Sequence, residues 1–243
     1  MNPSSSTDAK NLFNNYKKFA KKFAKRKINL VACPSAPHLG LLSIVKRPRN
    51  LYLGAQDAFF EREGAFTGLI SPVAVYGVGA DYIILGHSER RAMGETSAVI
   101  SKKIKASIKA GLKVIVCVGE KNRDSEGEFW HDLRAQMEET LLDITKNEIG
   151  KVIMAYEPVW AVGEEASGAM EPGDLHETAL FIKKIISQMY GGKIAKSLNV
   201  LYGGSVFPNN AKALSETGDI SGFLVGRASL NSKDIEKILN EIS

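Results

Sequence analysis

Seven short runs rich in valine, isoleucine and leucine recur along this chain, with helix-like stretches between them. The runs are "INLVAC" (28–33), "LYLGAQ" (51–56), "DYIILGH" (81–87), "KVIVCVGE" (113–120), "KVIMAYE" (151–157), "NVLYGG" (199–204) and "GFLVG" (222–226). Their interiors are almost continuously apolar, as expected of strands covered on both faces in a parallel sheet. Strict strand–helix alternation implies right-handed crossovers and leaves two closures, an open doubly wound sheet or a (β/α)8 barrel. A length of 243 residues suits a barrel, which typically takes about 250. No linker or composition shift interrupts the pattern, so residues 1–243 are expected to form a single domain.

The intervening stretches carry helical periodicity. "DAKNLFNNYKKFAKKFAKR" (8–26) sets Leu12, Tyr16, Phe19 and Phe23 on one stripe. "ETSAVISKKIKASIKAGL" (95–112) and "LHETALFIKKIISQMY" (175–190) behave alike. "NSKDIEKILNEIS" (231–243) closes the chain, with Asn231 or Ser232 as the expected N-cap. The chain thus begins with a helix, whereas a complete barrel of this kind begins with a strand.

Composition narrows the function. The formal net charge is +5 and the pI near 9.0, which suits either a nucleic-acid footprint or mild steering of a small anionic substrate. The one dense basic stretch, "KKFAKKFAKRK" (17–27), alternates with Phe19 and Phe23 and reads as the solvated face of an amphipathic helix. A small-molecule substrate is therefore expected, with no nucleic-acid partner, no membrane and no metal or other cofactor. Cys33 and Cys117 each end an apolar run and lack metal-ligand spacing. They fit buried free thiols in a reducing compartment, and the cytoplasm is the expected location. No stretch is long enough to span a membrane, and "MNPSSST" is no signal peptide.

In a barrel, active groups gather where strands end and βα loops begin. After "YIIL" comes "GHSERR", after "VIMAY" comes "EPVWAVG", after "NVLY" comes "GGSV", and after "GFLV" comes "GRASL". His87 could be a packed or capping histidine. At a strand end, with Ser88 and Glu89 opening a helix, it gains a second reading. Amides at a helix start disfavour an imidazolium, and a neutral ring polarises a carbonyl without first losing a proton. Glu157 could be an ordinary rim carboxylate. It also stands at the hinge of a loop with a stiff start at Pro158, a bulky Trp160 and a permissive end at Gly163, as a lid requires. There it could abstract a proton once water is excluded. "YGGSV" and "VGR" supply turn amides and the Ser205 hydroxyl, and the loops after the last two strands of a barrel often hold phosphate. "YGVGADY" (76–82) precedes a strand and lacks a third glycine, so it is no dinucleotide fingerprint. A base, a neutral electrophile, a lid and a phosphate cradle suit proton transfer α to a carbonyl in a small phosphorylated substrate, through an enediolate.

The same residues resemble the triosephosphate isomerase family, which general enzymology uses as the pattern of a glutamate base with a neutral histidine electrophile. The resemblance rests on "GAQD…EGAFTG…SP", "ILGHSERR", "VIVCVGE", "AYEPVWAVG", "LYGGSV" and "GFLVGRASL", in the family's order and spacing. It implies a TIM barrel that interconverts dihydroxyacetone phosphate and glyceraldehyde 3-phosphate in glycolysis and gluconeogenesis. It also implies His87 as electrophile, Glu157 as base, and Glu89 as the carboxylate supporting an active-site lysine. Gly163, Ser205, Gly226 and the Arg227 amide match the phosphate-binding positions. Thr67, at the tip of "GAFTG", matches the loop that docks into a partner subunit, so a homodimer is implied. Another phosphosugar barrel enzyme and a non-catalytic phosphate-binding scaffold are the alternatives.

Three positions depart from the family pattern. The phosphate turn, usually Gly-Gly, is Gly226-Arg227. The lid tip "GEEASGAMEP" is longer than the family's and carries Glu164 and Glu165. The family's opening strand ends in a motif like "GNWKMN", of which Met1 and Asn2 match only the last two positions. The expectation is a start at an internal methionine, with the first strand, its asparagine and its lysine missing; a genuine loss is the alternative, and the scaffold reading depends on it. On this view Glu89 is a buried carboxylate without its cation, which would be costly.

Overall fold

The computed structural model describes residues 2–161 and 169–242. Strands β1 (Leu30–Ala32), β2 (Leu51–Ala55), β3 (Tyr82–Leu85), β4 (Lys113–Val118), β5 (Val152–Tyr156), β6 (Val200–Tyr202) and β7 (Gly222–Phe223) each fall inside one of the seven apolar runs. Every strand pairs in parallel with the next in sequence, from β1–β2 to β6–β7. That order decides between the two closures. A doubly wound sheet reverses its order at a switch point, and this sheet never does.

Alternation along the strands explains the curl. Val31, Tyr52, Ile84, Ile115, Ile153, Leu201 and Leu224, drawn from or just beyond all seven strands, pack into one inner cluster. Their neighbours Leu53, Ile83, Leu85, Val114, Val116, Met154 and Val200 point the other way, into the main core beneath the helices. A sheet whose successive strands all meet on one face is wrapped around that face. The wrap is a TIM-barrel sheet with, among the described residues, seven strands and β1 and β7 as its two edges, as the strand-missing expectation anticipated. The edges border a cavity of about 1330 Å³ that runs from the strand ends, along the inner face, to Phe13 and Ile238 on the flanking helices.

Among the described residues, ten α-helices accompany the strands. They are α1 (Ser6–Lys22), α2 (Ala36–Ser43), α3 (Pro72–Gly77), α4 (Ser88–Ala92), α5 (Ser97–Ala110), α6 (Phe129–Thr140), α7 (Pro172–Tyr190), α8 (Gly192–Ser197), α9 (Ala211–Thr217) and α10 (Ser232–Glu241). The Ser5 hydroxyl caps α1 by accepting from the Asp8 amide, and Thr96 caps α5 in the same way. Asn231 caps α10 through the Lys233 amide, which settles the choice between Asn231 and Ser232. Of the stripe anticipated for α1, Phe19 and Phe23 are buried, and Ala9, Phe13 and Ala20 complete the buried face. Leu12 and Tyr16 are only half-buried. α10 closes onto α1: Phe19, Phe23, Ile235 and Leu239 form a separate apolar cluster. Around it the Tyr16 hydroxyl donates to the Ser229 carbonyl at 2.8 Å, and the Lys22 ammonium meets Glu236 at 2.7 Å. Cys117 is buried and Cys33 half-buried, and both are free thiols.

Candidate active site

Three strand ends bring the central groups together. β3 delivers His87, β5 delivers Glu157, and β6 delivers Gly203. Gly86, at φ +73°, turns the chain sharply out of β3 in a conformation that L-residues rarely adopt. His87 is then the N-cap of α4, and its Nδ1 accepts from the Glu89 amide at 3.3 Å. An Nδ1 that accepts carries no proton, so the ring is the neutral tautomer with its proton on Nε2. That Nε2 lies 3.3 Å from Glu157 Oε1. The anticipated helix start after His87 is therefore present, and it fixes which ring nitrogen faces the carboxylate.

Glu157 is 2 % exposed. Burial raises its pKa, and the His87 ring, the Ser88 amide and the Cys117 thiol each oppose that rise. The Ser88 amide donates to Oε2 at 3.3 Å, so both carboxylate oxygens are held. Space for this buried carboxylate comes from Gly203, where a Cβ would sit 2.6 Å from Glu157 Cγ and 3.1 Å from Oε1. The glycine pair of "YGGSV" was anticipated as phosphate-turn chemistry. Its first member also clears the seat of the carboxylate, and sequence gives no signal of that contact.

A second buried acid was missed. Glu120, at the end of β4, is 3 % exposed. Its Oε1 accepts from the Tyr156 hydroxyl at 2.7 Å, the Trp160 indole at 3.0 Å and Arg123 Nε at 3.2 Å. Arg123 also donates to Thr178 at 2.7 Å. Glu120 thus ties Trp160, in the loop after β5, to the neighbouring strand. "VIVCVGE" contains it, yet nothing local distinguishes it from a surface glutamate.

His87, Glu89, Glu157, Ser205, Gly226 and Arg227 all border the cavity of about 1330 Å³. The Ser205 hydroxyl donates to the Ala161 carbonyl at 2.9 Å and joins the loop after β6 to the loop after β5. Gly226 and Arg227 are exposed at the start of the short turn Arg227–Leu230. Glu89 differs from expectation: its side chain is 74 % exposed, 3.9 Å from His87 Nδ1. An exposed carboxylate keeps its water, so the anticipated cost of a buried, unpaired charge does not arise there. Gly163, Glu164 and Glu165 lie outside the described residues. Thr67 is apart from the cavity, on an exposed loop stapled by the Phe59 amide to the Ile70 carbonyl at 2.8 Å and by the tilted Phe59 and Phe66 rings, 4.9 Å apart. Among the described residues no cluster of His, Cys, Asp or Glu could hold a metal ion, and no helix is long and apolar enough to cross a membrane.

Chemically, the pair offers a carboxylate base held beside a neutral N–H donor, with amide-rich turns on the same rim. The family model described as triosephosphate isomerase matches residues 1–242. The triosephosphate isomerase of Geobacter metallireducens is 41% identical over 210 residues, covering 84% of this chain and 83% of its own length. That of Dictyoglomus thermophilum is 40% identical over 212 residues, covering 86% and 84%. That of Thermoanaerobacter sp. is 39% identical over 216 residues, covering 88% and 86%.

Proposed function

The chain belongs to the triosephosphate isomerase family, and from that premise we infer that its buried carboxylate and neutral imidazole interconvert dihydroxyacetone phosphate and D-glyceraldehyde 3-phosphate through an enediolate. Glu157 removes the proton α to the substrate carbonyl and returns it to the adjacent carbon. His87 donates its Nε2–H to the oxygen on which negative charge develops. The observation that carries this reading is the 3.3 Å approach of His87 Nε2 to Glu157 Oε1, with Nδ1 already occupied by the Glu89 amide. A substrate entering the cavity would take the place of that contact, with its carbonyl oxygen toward the ring and its C–H toward the carboxylate. The burial that raises the pKa of Glu157 makes it a stronger base once ionised. Glu89 acts only as a support at the mouth of the site.

The phosphate would lie against the amides of Gly163, Ser205, Gly226 and Arg227. What supports this is the placement of Ser205, Gly226 and Arg227 around the cavity that holds the acid–base pair. A homodimer is proposed through the Thr67 loop, where Phe66 and Leu69 are 40 % and 51 % exposed beside Thr67. The two free thiols suit a reducing compartment, and the cytoplasm is the proposed location, in glycolysis and gluconeogenesis. A coupled isomerase assay on the purified chain tests the core of the reading. Glu157→Gln should abolish turnover while sulfate binding at the turn amides persists. Turnover unchanged in that variant would remove Glu157 from the mechanism.

A further inference from the structure

The charge of this molecule is segregated. Residues 17–27 hold seven cations and no acid; removing those seven from the 32 basic residues leaves 25 against 27 acids, so everything else is formally −2. The whole positive excess therefore lies in one stretch, the last part of α1 and the turn that follows. Lys18, Lys21, Lys22, Lys25, Arg26 and Lys27 are exposed, and Lys17 is partly so. The aromatic rings between them, Phe19 and Phe23, are turned into the core at 7 % and 2 % exposure.

A second basic segment extends the first. Lys46 and Arg49, both exposed, precede β2. They are fixed beside the end of α1 by the Asn50 side chain, which donates to the Ala20 carbonyl at 2.8 Å and the Ile28 carbonyl at 3.2 Å. Both segments lie where strands begin, whereas His87 and Glu157 lie where strands end. All strands are parallel, so a strand length of roughly 15 Å separates the two regions. Of this surface only Lys27 reaches the lining of the large cavity, and the rest of it lies apart from His87 and Glu157.

We propose that the basic track from Lys17 to Lys27, continued by Lys46 and Arg49, docks the phosphodiester backbone of a double-stranded polynucleotide without reading its sequence. The reading departs from the expectation of no nucleic-acid partner, and three features carry it. Lys17 and Lys21, with Lys18 and Lys22 beside them, recur at four-residue spacing, about 6 Å per step along the axis of α1, and Lys25, Arg26 and Lys27 follow directly in and after the turn at its end. That forms a linear row of charges rather than a compact anion pocket, and it suits a linear polyanion. Six of the seven cations are lysines, point charges without the planar fork that reads base edges. No exposed ring lies among them for stacking on single-stranded bases; within residues 17–27 Ala24 is the largest exposed apolar side chain, and beside Lys46 only Ile44, 84 % exposed, stands out, too little apolar surface to anchor in lipid.

Fluorescence anisotropy with a labelled mixed-sequence DNA duplex tests this on the full chain. Binding should fall about 10³-fold between 50 and 200 mM salt, as six or so phosphate contacts require. The quadruple variant Lys17→Gln, Lys18→Gln, Lys21→Gln, Lys25→Gln should flatten the slope of log K against log salt by roughly 3 to 4. Its isomerase rate should stay unchanged. Should that variant not fold, Lys18→Gln and Lys21→Gln alone should each flatten the slope by about 0.9. No binding at 50 mM salt, an unaltered slope in the variants, or displacement of the duplex by dihydroxyacetone phosphate would overturn the proposal. So would capture by phosphatidylserine vesicles with none by the duplex.

Discussion

The proposed proton transfer turns on the environment of one carboxylate. Glu157 is almost wholly buried, and its pKa is raised above the ordinary glutamate value by that burial. A group whose folded-state pKa is raised favours the fold most when protonated, below the unfolded pKa near 4.3, and loses that contribution as pH rises through the folded value. Glu157→Gln should therefore raise the thermal midpoint at neutral pH while ending turnover, and the advantage should vanish as pH is lowered toward 4. A midpoint difference independent of pH would contradict this. Glu157→Asp should keep substrate affinity and lower turnover about 10²-fold, since the base retracts by about an ångström. Gly203→Ala puts a carbon where Glu157 Cγ needs room; a loss of turnover of about the same size is expected with the far-ultraviolet dichroism unchanged. The candidate acid–base pair was legible in the sequence because His87 and Glu157 each end an apolar strand and precede turn residues. Gly203's steric role and Glu120's hub were not, because both exist only through neighbours distant in the chain: Glu157 for the glycine, and Tyr156 and Trp160 for the acid.

At the scale of elements, the seven strands were legible because their interiors are apolar on both faces, a pattern no exposed segment maintains. α6 was not read, although Leu133, Met137 and Thr140 recur at helical spacing on its buried side. Its start is set by Asp124, which accepts from the Glu128 and Phe129 amides across a turn rather than from an adjacent cap position. In α1 the second half of the stripe, Phe19 and Phe23, was legible, but its start was read one residue off, because Phe13 rather than Leu12 is the one fully buried; two adjacent apolar residues leave the phase of a helix ambiguous. The loop carrying Thr67 has the most direct consequence at this scale. Phe66 and Leu69 stand exposed on a loop held at its base, so Phe66→Glu with Leu69→Glu should convert the proposed dimer to monomers. Light scattering coupled to size exclusion reads the outcome, and an unchanged mass would place the interface elsewhere.

For the molecule as a whole, the open seam between β1 and β7 is the defining property. An extension designed to place about five extended apolar residues between those edges, parallel to both, should pair their free amides and carbonyls and fill part of the cavity. The expected result is a higher thermal midpoint; an equal midpoint would mean that the edges already lack free pairing capacity. The sequential strand order also sets a timetable. Each strand meets the next across a short stretch of chain, so the sheet can grow by neighbouring additions without closing a long loop first. Among the described residues the longest closure brings α1 against α10 and the turn before it, where Tyr16 and Ser229 are 213 positions apart and Lys22 and Glu236 are 214 apart. Such a contact gains little until the rest is in place and is therefore made last. Interactions formed after the folding barrier govern how fast a protein comes apart, not how fast it assembles. Leu239→Ala, in the cluster where the two helices meet, should thus steepen the escape from the native state and leave the refolding limb of a chevron almost untouched, making this junction the timekeeper of the molecule's lifetime.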